Sequence, residues 1–98
     1  MRPSEALARH RDAVLAIIAK YPVSNPRLFG SVARGEDVEG SDIDILVDHG
    51  SNGFASTFDL AGLELELEQL LRSDVDVRVR GDLSGDVAAR IENDLKLL

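Results

Sequence analysis

The sequence predicts a small α/β protein, a mixed three-stranded sheet flanked by helices with the architecture of a layered α/β fold. Three observations predict it. Apolar residues recur at helical spacing in some segments and alternate in others, and the two periods interleave along the chain. The stretch between the second and third strands is long enough for a helix, which makes that connection a parallel, right-handed crossover. The link from the first strand to the second is short, which suits an antiparallel pair. At 98 residues the chain is read as a single domain over residues 1–98.

The elements follow in order. Ser4 is a candidate N-cap with Glu5 in the first turn, and Leu7, Val14, Leu15, Ile17, Ile18 and Tyr21 form one apolar face until Pro22. That gives a helix near residues 5–20. Arg27-Leu28-Phe29 reads as a short strand ending at Gly30, and the nearby Pro22 and Pro26 confine it to a brief or edge position. Ser31 to Arg34 allows one helical turn, closed by Gly35, and Glu36 to Ser41 is a polar loop. Ile43 to Val47 is rich in β-branched residues, with Ile43, Ile45 and Val47 on one face and Asp42, Asp44, Leu46 and Asp48 on the other.

A turn is expected over 49–53. Ser56 or Thr57 then caps a helix with the stripe Leu60, Leu63, Leu67, Leu70 and Leu71, and Glu64, Glu66 and Glu68 fall largely off it. Val75, Val77 and Val79 alternate with Asp74, Asp76, Arg78 and Arg80, a third strand. Gly81-Asp82 makes a turn, Ser84 is a cap, and Val87, Ile91 and Leu95 carry a last amphipathic helix.

Composition narrows the partners. The chain has 11 Lys+Arg against 18 Asp+Glu, a net charge of −7, so it lacks the cationic surface that direct binding to long nucleic acid requires. With no Cys there are no disulfides, thiolate metal sites or Cys nucleophiles. No apolar run approaches the ~20 residues of a membrane span and no signal-peptide core is visible, so the expected location is the cytoplasm, without membrane association.

Two features carry chemistry. Asp42 and Asp44 stand two apart at the start of a strand, so both side chains share one face roughly 6.5 Å apart along it. Asp76 lies on the third strand and joins them if the strands are neighbours. All-oxygen ligands of this kind suit Mg²⁺, which commonly also takes substrate phosphates. Gly30-Ser31 ends the first strand, where a glycine lets a phosphate approach the backbone at the start of a helical turn. Each half alone also fits a bland reading, a solvated strand edge and a capped turn. His10 and His49 show no ligand spacing, and Arg34 on its own reads as a surface partner of Glu36 or Asp37.

Together the halves are more specific. Gly30-Ser31-Val32-Ala33-Arg34-Gly35, a short polar loop, and Ser41-Asp42-Ile43-Asp44-Ile45-Leu46-Val47 resemble the motif of minimal nucleotidyltransferases of the polymerase-β superfamily. The resemblance spans the chain, including Val75-Asp76-Val77 and the leucine-rich end. It implies that Asp42, Asp44 and Asp76 are catalytic and hold two Mg²⁺ ions, with Asp76 on the acceptor side. It implies that Gly30 and Ser31, with Ser41 in the same motif, serve ATP binding. Arg34 either contacts phosphates or braces the loop. Among such enzymes the free-standing type resembles the antitoxin of HEPN–nucleotidyltransferase toxin–antitoxin pairs, which moves AMP from ATP to a tyrosine of the HEPN-domain toxin. That resemblance implies a hetero-oligomer with the toxin. Two alternatives stay open: an antitoxin acting mainly by binding the toxin, and one subunit of a small-molecule, antibiotic-type nucleotidyltransferase. The run Arg78-Val79-Arg80 is more charged than in many relatives, and its arginines could meet phosphate, solvent or a partner.

Overall fold

The computed structural model describes residues 1–51 and 53–98. The elements are α1 (Pro3–Arg9), α2 (Arg11–Ile18), β1 (Val23–Phe29), α3 (Gly30–Arg34), β2 (Ile43–His49), α4 (Thr57–Leu71), β3 (Val75–Val79), α5 (Gly85–Glu92) and β4 (Lys96–Leu97). A 3₁₀ turn over Arg80–Asp82 links β3 to α5. The sheet order is β3-β2-β1-β4, with β1 antiparallel to β2 and β4, and β2 parallel to β3. The mixed sheet and its parallel crossover through α4 are as the sequence predicts.

The strand count is corrected from three to four. The last helix stops at Glu92, short of Leu95, and Lys96–Leu97 adds a two-residue strand against Arg27 and Leu28. A pairing this short has no periodicity to read. It also moves β1 off the edge, where its prolines had seemed to confine it. Pro26 is accommodated instead by a register shift between Ser24 and Arg27, where Asn25 takes a left-handed φ of 52°.

The first helix is two helices. The backbone breaks at His10 (φ −109°, ψ 20°), which ends α1 through its N–H to the Ala6 carbonyl and starts α2 by accepting from Val14. Arg2 stands at the N-cap position in place of Ser4, because Pro3 occupies the first helical position, where its missing N–H costs nothing. Ser4 N–H donates instead to Asp37. The turn expected over 49–53 includes Asn52, which lies outside the described residues.

One face of the sheet makes the core. Ile43, Ile45, Val47, Val75, Val77 and Val79 are all buried there under Ala6, Leu7, Val14, Ile18, Leu63, Leu67 and Leu71 of α1, α2 and α4. Ser56 caps α4 by accepting the Asp59 N–H at 3.1 Å, and the Asp59 carboxylate returns to the Ser56 N–H. Truncating a wholly buried leucine of α4 such as Leu63 or Leu67 is expected to cost about 2–5 kcal/mol. The alternate residues of the strands face the other way, toward α5, and they are where the charge lies.

Candidate active site

Strand register brings the candidate residues together. Asp44 is the second residue of β2, and it pairs with Phe29 on β1 and with Asp76 on β3. The expectation that Asp76 could join the Asp42–Asp44 pair thus meets a direct cross-strand neighbour. Phe29 passes straight into Gly30, whose φ of +73° suits only glycine comfortably. A Cβ built at Gly30 would overlap the Asp44 carboxylate. The missing side chain therefore leaves the space that Asp44 fills.

The turn after Gly30 is pinned from below by buried Val32 and Ala33 and ends at Gly35 in the left-handed region. Glu36 N–H returns to the Ser31 carbonyl at 2.9 Å. The loop that follows is anchored by Asp37, which is only 2% exposed and accepts the Ser4 N–H at 2.8 Å in the first turn of α1. Burial pushes the Asp37 carboxyl up, but the donors at Ser4, its own backbone N–H and the charge of Arg2 together hold it below the usual range. Asp37 is thus no surface ion partner of Arg34. Ser41 closes the loop, its Oγ accepting from Val38 N–H and its own N–H donating back to the Val38 carbonyl, both at 3.0 Å.

Arg34 is exposed and bridges two carboxylates, Glu36 at 3.1 Å and Asp94 at 3.0 Å. It ties α3 to the chain beyond α5. Asp42 lies just before β2 and is exposed. Among the described residues no side-chain hydrogen bond or ion pair engages either Asp42 or Asp44, whereas Asp76 accepts from Arg78 Nε at 3.0 Å. Desolvation raises the Asp44 pKa above the ordinary aspartate value, with added contributions from the charges of Asp76 and Asp42. The site therefore holds crowded negative charge, with the carboxylates of Asp42 and Asp44 both unpaired and only Asp76 engaged, by Arg78.

That arrangement fits a divalent cation by its chemistry. The donors are hard carboxylate oxygens, Asp44 lacks a counter-ion, and its charged form is disfavoured until one arrives. Among the described residues no three acidic or His side chains already close on one point.

Above the carboxylates lies an open cleft of about 350 Å³, lined by Phe29, Asp44, Asp76 and Arg78 from the sheet and Val87, Arg90 and Ile91 from α5. In the sequence Arg78 is open to phosphate, solvent or a partner, and Arg90 carries no signal of a role. Arg78 was findable, since it stands two residues from Asp76 on the same strand face. Arg90 lies between Val87 and Ile91 on the helix, but nothing in the sequence says that α5 folds back over Asp76. A separate apolar groove of about 220 Å³, between α1 and the chain's last residues, contains none of the candidate residues.

Comparisons with known proteins identify the family and the fold. The nucleotidyltransferase domain family model matches residues 10–98. Two proteins of Methanocaldococcus jannaschii, both provisionally named protein adenylyltransferases, are 40% identical to the chain. One aligns over 83% of this chain and 85% of its own, the other over 93% and 89%. A solved structure described provisionally as a minimal nucleotidyltransferase superposes with a TM-score of 0.82 at 36% identity, covering 97% of this chain and 95% of that one. A toxin–antitoxin crystal structure with AMP-PNP shares the fold, with a TM-score of 0.76 at 23% identity over 88% of this chain and 69% of that one. The chain belongs to the nucleotidyltransferase domain family and is built as a minimal nucleotidyltransferase.

Proposed function

We propose that the protein is a single-domain, Mg²⁺-dependent enzyme that transfers AMP from ATP to a hydroxyl of a partner protein. The observation that carries this reading is the row Phe29–Asp44–Asp76 across three strands, with the Asp44 carboxylate seated over Gly30. The names of the 40%-identical relatives support a protein acceptor. The shared fold of a toxin–antitoxin structure supports a toxin as that acceptor, and we take a HEPN-domain tyrosine as the group modified.

In this reading Asp42, Asp44 and Asp76 would hold two Mg²⁺ ions, which would neutralise phosphate charge and lower the pKa of the attacking hydroxyl. Gly30 and Ser31 receive the triphosphate at the turn where backbone can approach it closely. Asp76, on the β3 side, orients the acceptor hydroxyl and accepts its proton. The acceptor oxygen bonds to the α-phosphorus as the bond from that phosphorus to the bridging oxygen breaks, and pyrophosphate leaves with the electron pair. Arg34, already paired to Glu36 and Asp94, braces the turn that carries Gly30 and Ser31. Ser41 fixes the loop before Asp42 and so the approach to the nucleotide. Such an enzyme works in the cytoplasm beside its partner. Among the described residues no helix is long and apolar enough to cross a membrane.

The test is the intact mass of the protein encoded beside this one after incubation with the chain, ATP and Mg²⁺. Added AMP that disappears with Asp42→Ala/Asp44→Ala establishes the reading. A stable complex with no added mass would replace it with inhibition by binding alone.

A further inference from the structure

Glu64 and Glu68 fall largely off the apolar stripe of α4, and the structure shows what they meet there. The Glu64 carboxylate accepts the Val77 N–H at 2.8 Å, and the Glu68 carboxylate accepts the Val75 N–H at 3.0 Å. Both are half-buried. These two amides flank Asp76, which pairs with Asp44 on the other side of the strand.

The match follows from two periods. Residues four apart on a helix are about 6.0 Å apart along its axis, and residues two apart on a strand are about 6.6 Å apart. Since α4 runs back toward the start of β3, Glu64 and Glu68 meet Val77 and Val75 in reverse order. Alternate amides of an edge strand point away from the sheet and would otherwise be left to water or to a foreign strand. One helical turn earlier stands Leu60, which has no acceptor to continue the ladder. The neighbouring Glu66 does something else and pairs with Lys20 and Tyr21.

We propose that Glu64 and Glu68 are positioning residues that clamp β3 on both sides of Asp76 and so fix its carboxylate opposite Asp44. Resting on the assignment of Asp76 as a metal-holding carboxylate, the inference gives α4 a part in the site as well as in the core. Carboxylate acceptors suit this task because hydrogen bonds to a charged group are the stronger ones. The helix that joins β2 to β3 thereby sets both the register and the rigidity of the strand it delivers.

The experiment reads amide hydrogen exchange at Val75 and Val77 together with Mn²⁺ affinity in the presence of ATP. Wild type is compared with Glu64→Ala/Glu68→Ala, Glu64→Gln/Glu68→Gln, Glu66→Ala and Asp76→Asn. The double alanine variant is expected to exchange at least about tenfold faster at both amides and to bind Mn²⁺ about three- to tenfold more weakly, toward the level of Asp76→Asn. Glutamine keeps an acceptor oxygen and loses the charge, so the double glutamine variant should recover most of both losses. Glu66→Ala should change neither. Should the double alanine variant fail to fold, the single variants carry the same comparison at one amide each.

Faster exchange with unchanged Mn²⁺ affinity would overturn the proposal, leaving the glutamates as an edge cover alone. Equal loss in the glutamine and alanine variants would overturn it as well, pointing to bulk negative charge. If Asp76→Asn itself binds Mn²⁺ like wild type, the assignment of Asp76 fails first and the clamp has nothing to position.

Discussion

Asp44 and Asp48 stand four residues apart on β2, on the same face of the same strand, and the fold treats them in opposite ways. Asp48 receives both terminal nitrogens of Arg27, at 3.1 and 3.2 Å, and Asn25 at 3.2 Å. Its carboxyl is held below the ordinary range, chiefly by the Arg27 hydrogen bonds. Asp44 is given no partner and is pushed above that range by desolvation and by the charges of Asp76 and Asp42. One aspartate is neutralised so that the strand can be buried beside it. The other is left unneutralised where a cation and a nucleotide would complete it. In the proposed reading the functional member of the pair is Asp44, the one to which the protein gives no partner.

The largest effect that tests this contrast is on catalysis. Asp44→Asn keeps the shape and removes the charge, and AMP transfer should fall by about a thousandfold or more, since a metal-holding carboxylate supplies several kcal/mol. Asp48→Asn should leave transfer within a few fold. Comparable losses in both would erase the distinction. Gly30→Ala comes next. The alanine must hold a left-handed φ, costing about 1–2 kcal/mol, and its Cβ must displace the Asp44 carboxylate. Moving that carboxylate by about 1 Å should lower transfer by about a hundredfold, in addition to the loss of about 1–2 kcal/mol from the unfolding free energy. An unchanged rate would show that Asp44 does not need the seat over Gly30.

The smaller effect belongs to the other end of the strand. Arg27 is 8% exposed and its Nε already lacks a partner, so Asp48→Ala would leave a nearly buried guanidinium without its carboxylate. Because the Asp48 side chain is 42% exposed, water can replace part of what is lost. A destabilisation of about 1–3 kcal/mol in urea titration is expected, with transfer by the folded protein intact. A larger loss of transfer than of stability would make Arg27 and Asp48 part of the site.

How much of this was legible depended on whether a feature is local. The strand position of Asp44, a cap at Ser56 or Thr57 and the helix end at Gly35 follow from period and residue type, so they could be read directly, whereas Asp42 falls just before β2 instead of on its face. The pairing of Asp44 with Asp76 needed only the parallel crossover that the length of α4 implied. What could not be read depends on contacts between distant segments. Asp37 reaches Ser4, Arg34 reaches Asp94, and Glu64 and Glu68 reach β3. A charged residue off an apolar stripe looks the same in sequence whether water or a strand amide will meet it. The fourth strand escaped for a different reason, since two residues of pairing leave no pattern.

The subtlest prediction is the pH dependence of stability, where the two aspartates should pull in opposite directions. Asp48 has a folded pKa below its unfolded value of about 3.9, so its contribution is fully present above that pH and is lost as pH falls through the folded value. Asp44 has a folded pKa above about 3.9, so between the two values the native state binds more protons than the unfolded chain. Its ionised form therefore costs stability, absent at low pH and complete once pH exceeds the folded value. In metal-free buffer Asp44→Asn should melt above wild type at pH 7, by about 4–8 °C for each kcal/mol relieved. The gap should close as pH falls toward 4, because protonation gives wild type the same relief. Asp48→Asn should show the reverse, melting below wild type at pH 7 and converging only in stronger acid. Mg²⁺ with ATP should raise the wild-type midpoint far more than that of Asp44→Asn, since binding to the native state stabilises it. A gap that stays constant from pH 7 to pH 4 would mean that Asp44 carries no unneutralised charge for a cation to relieve.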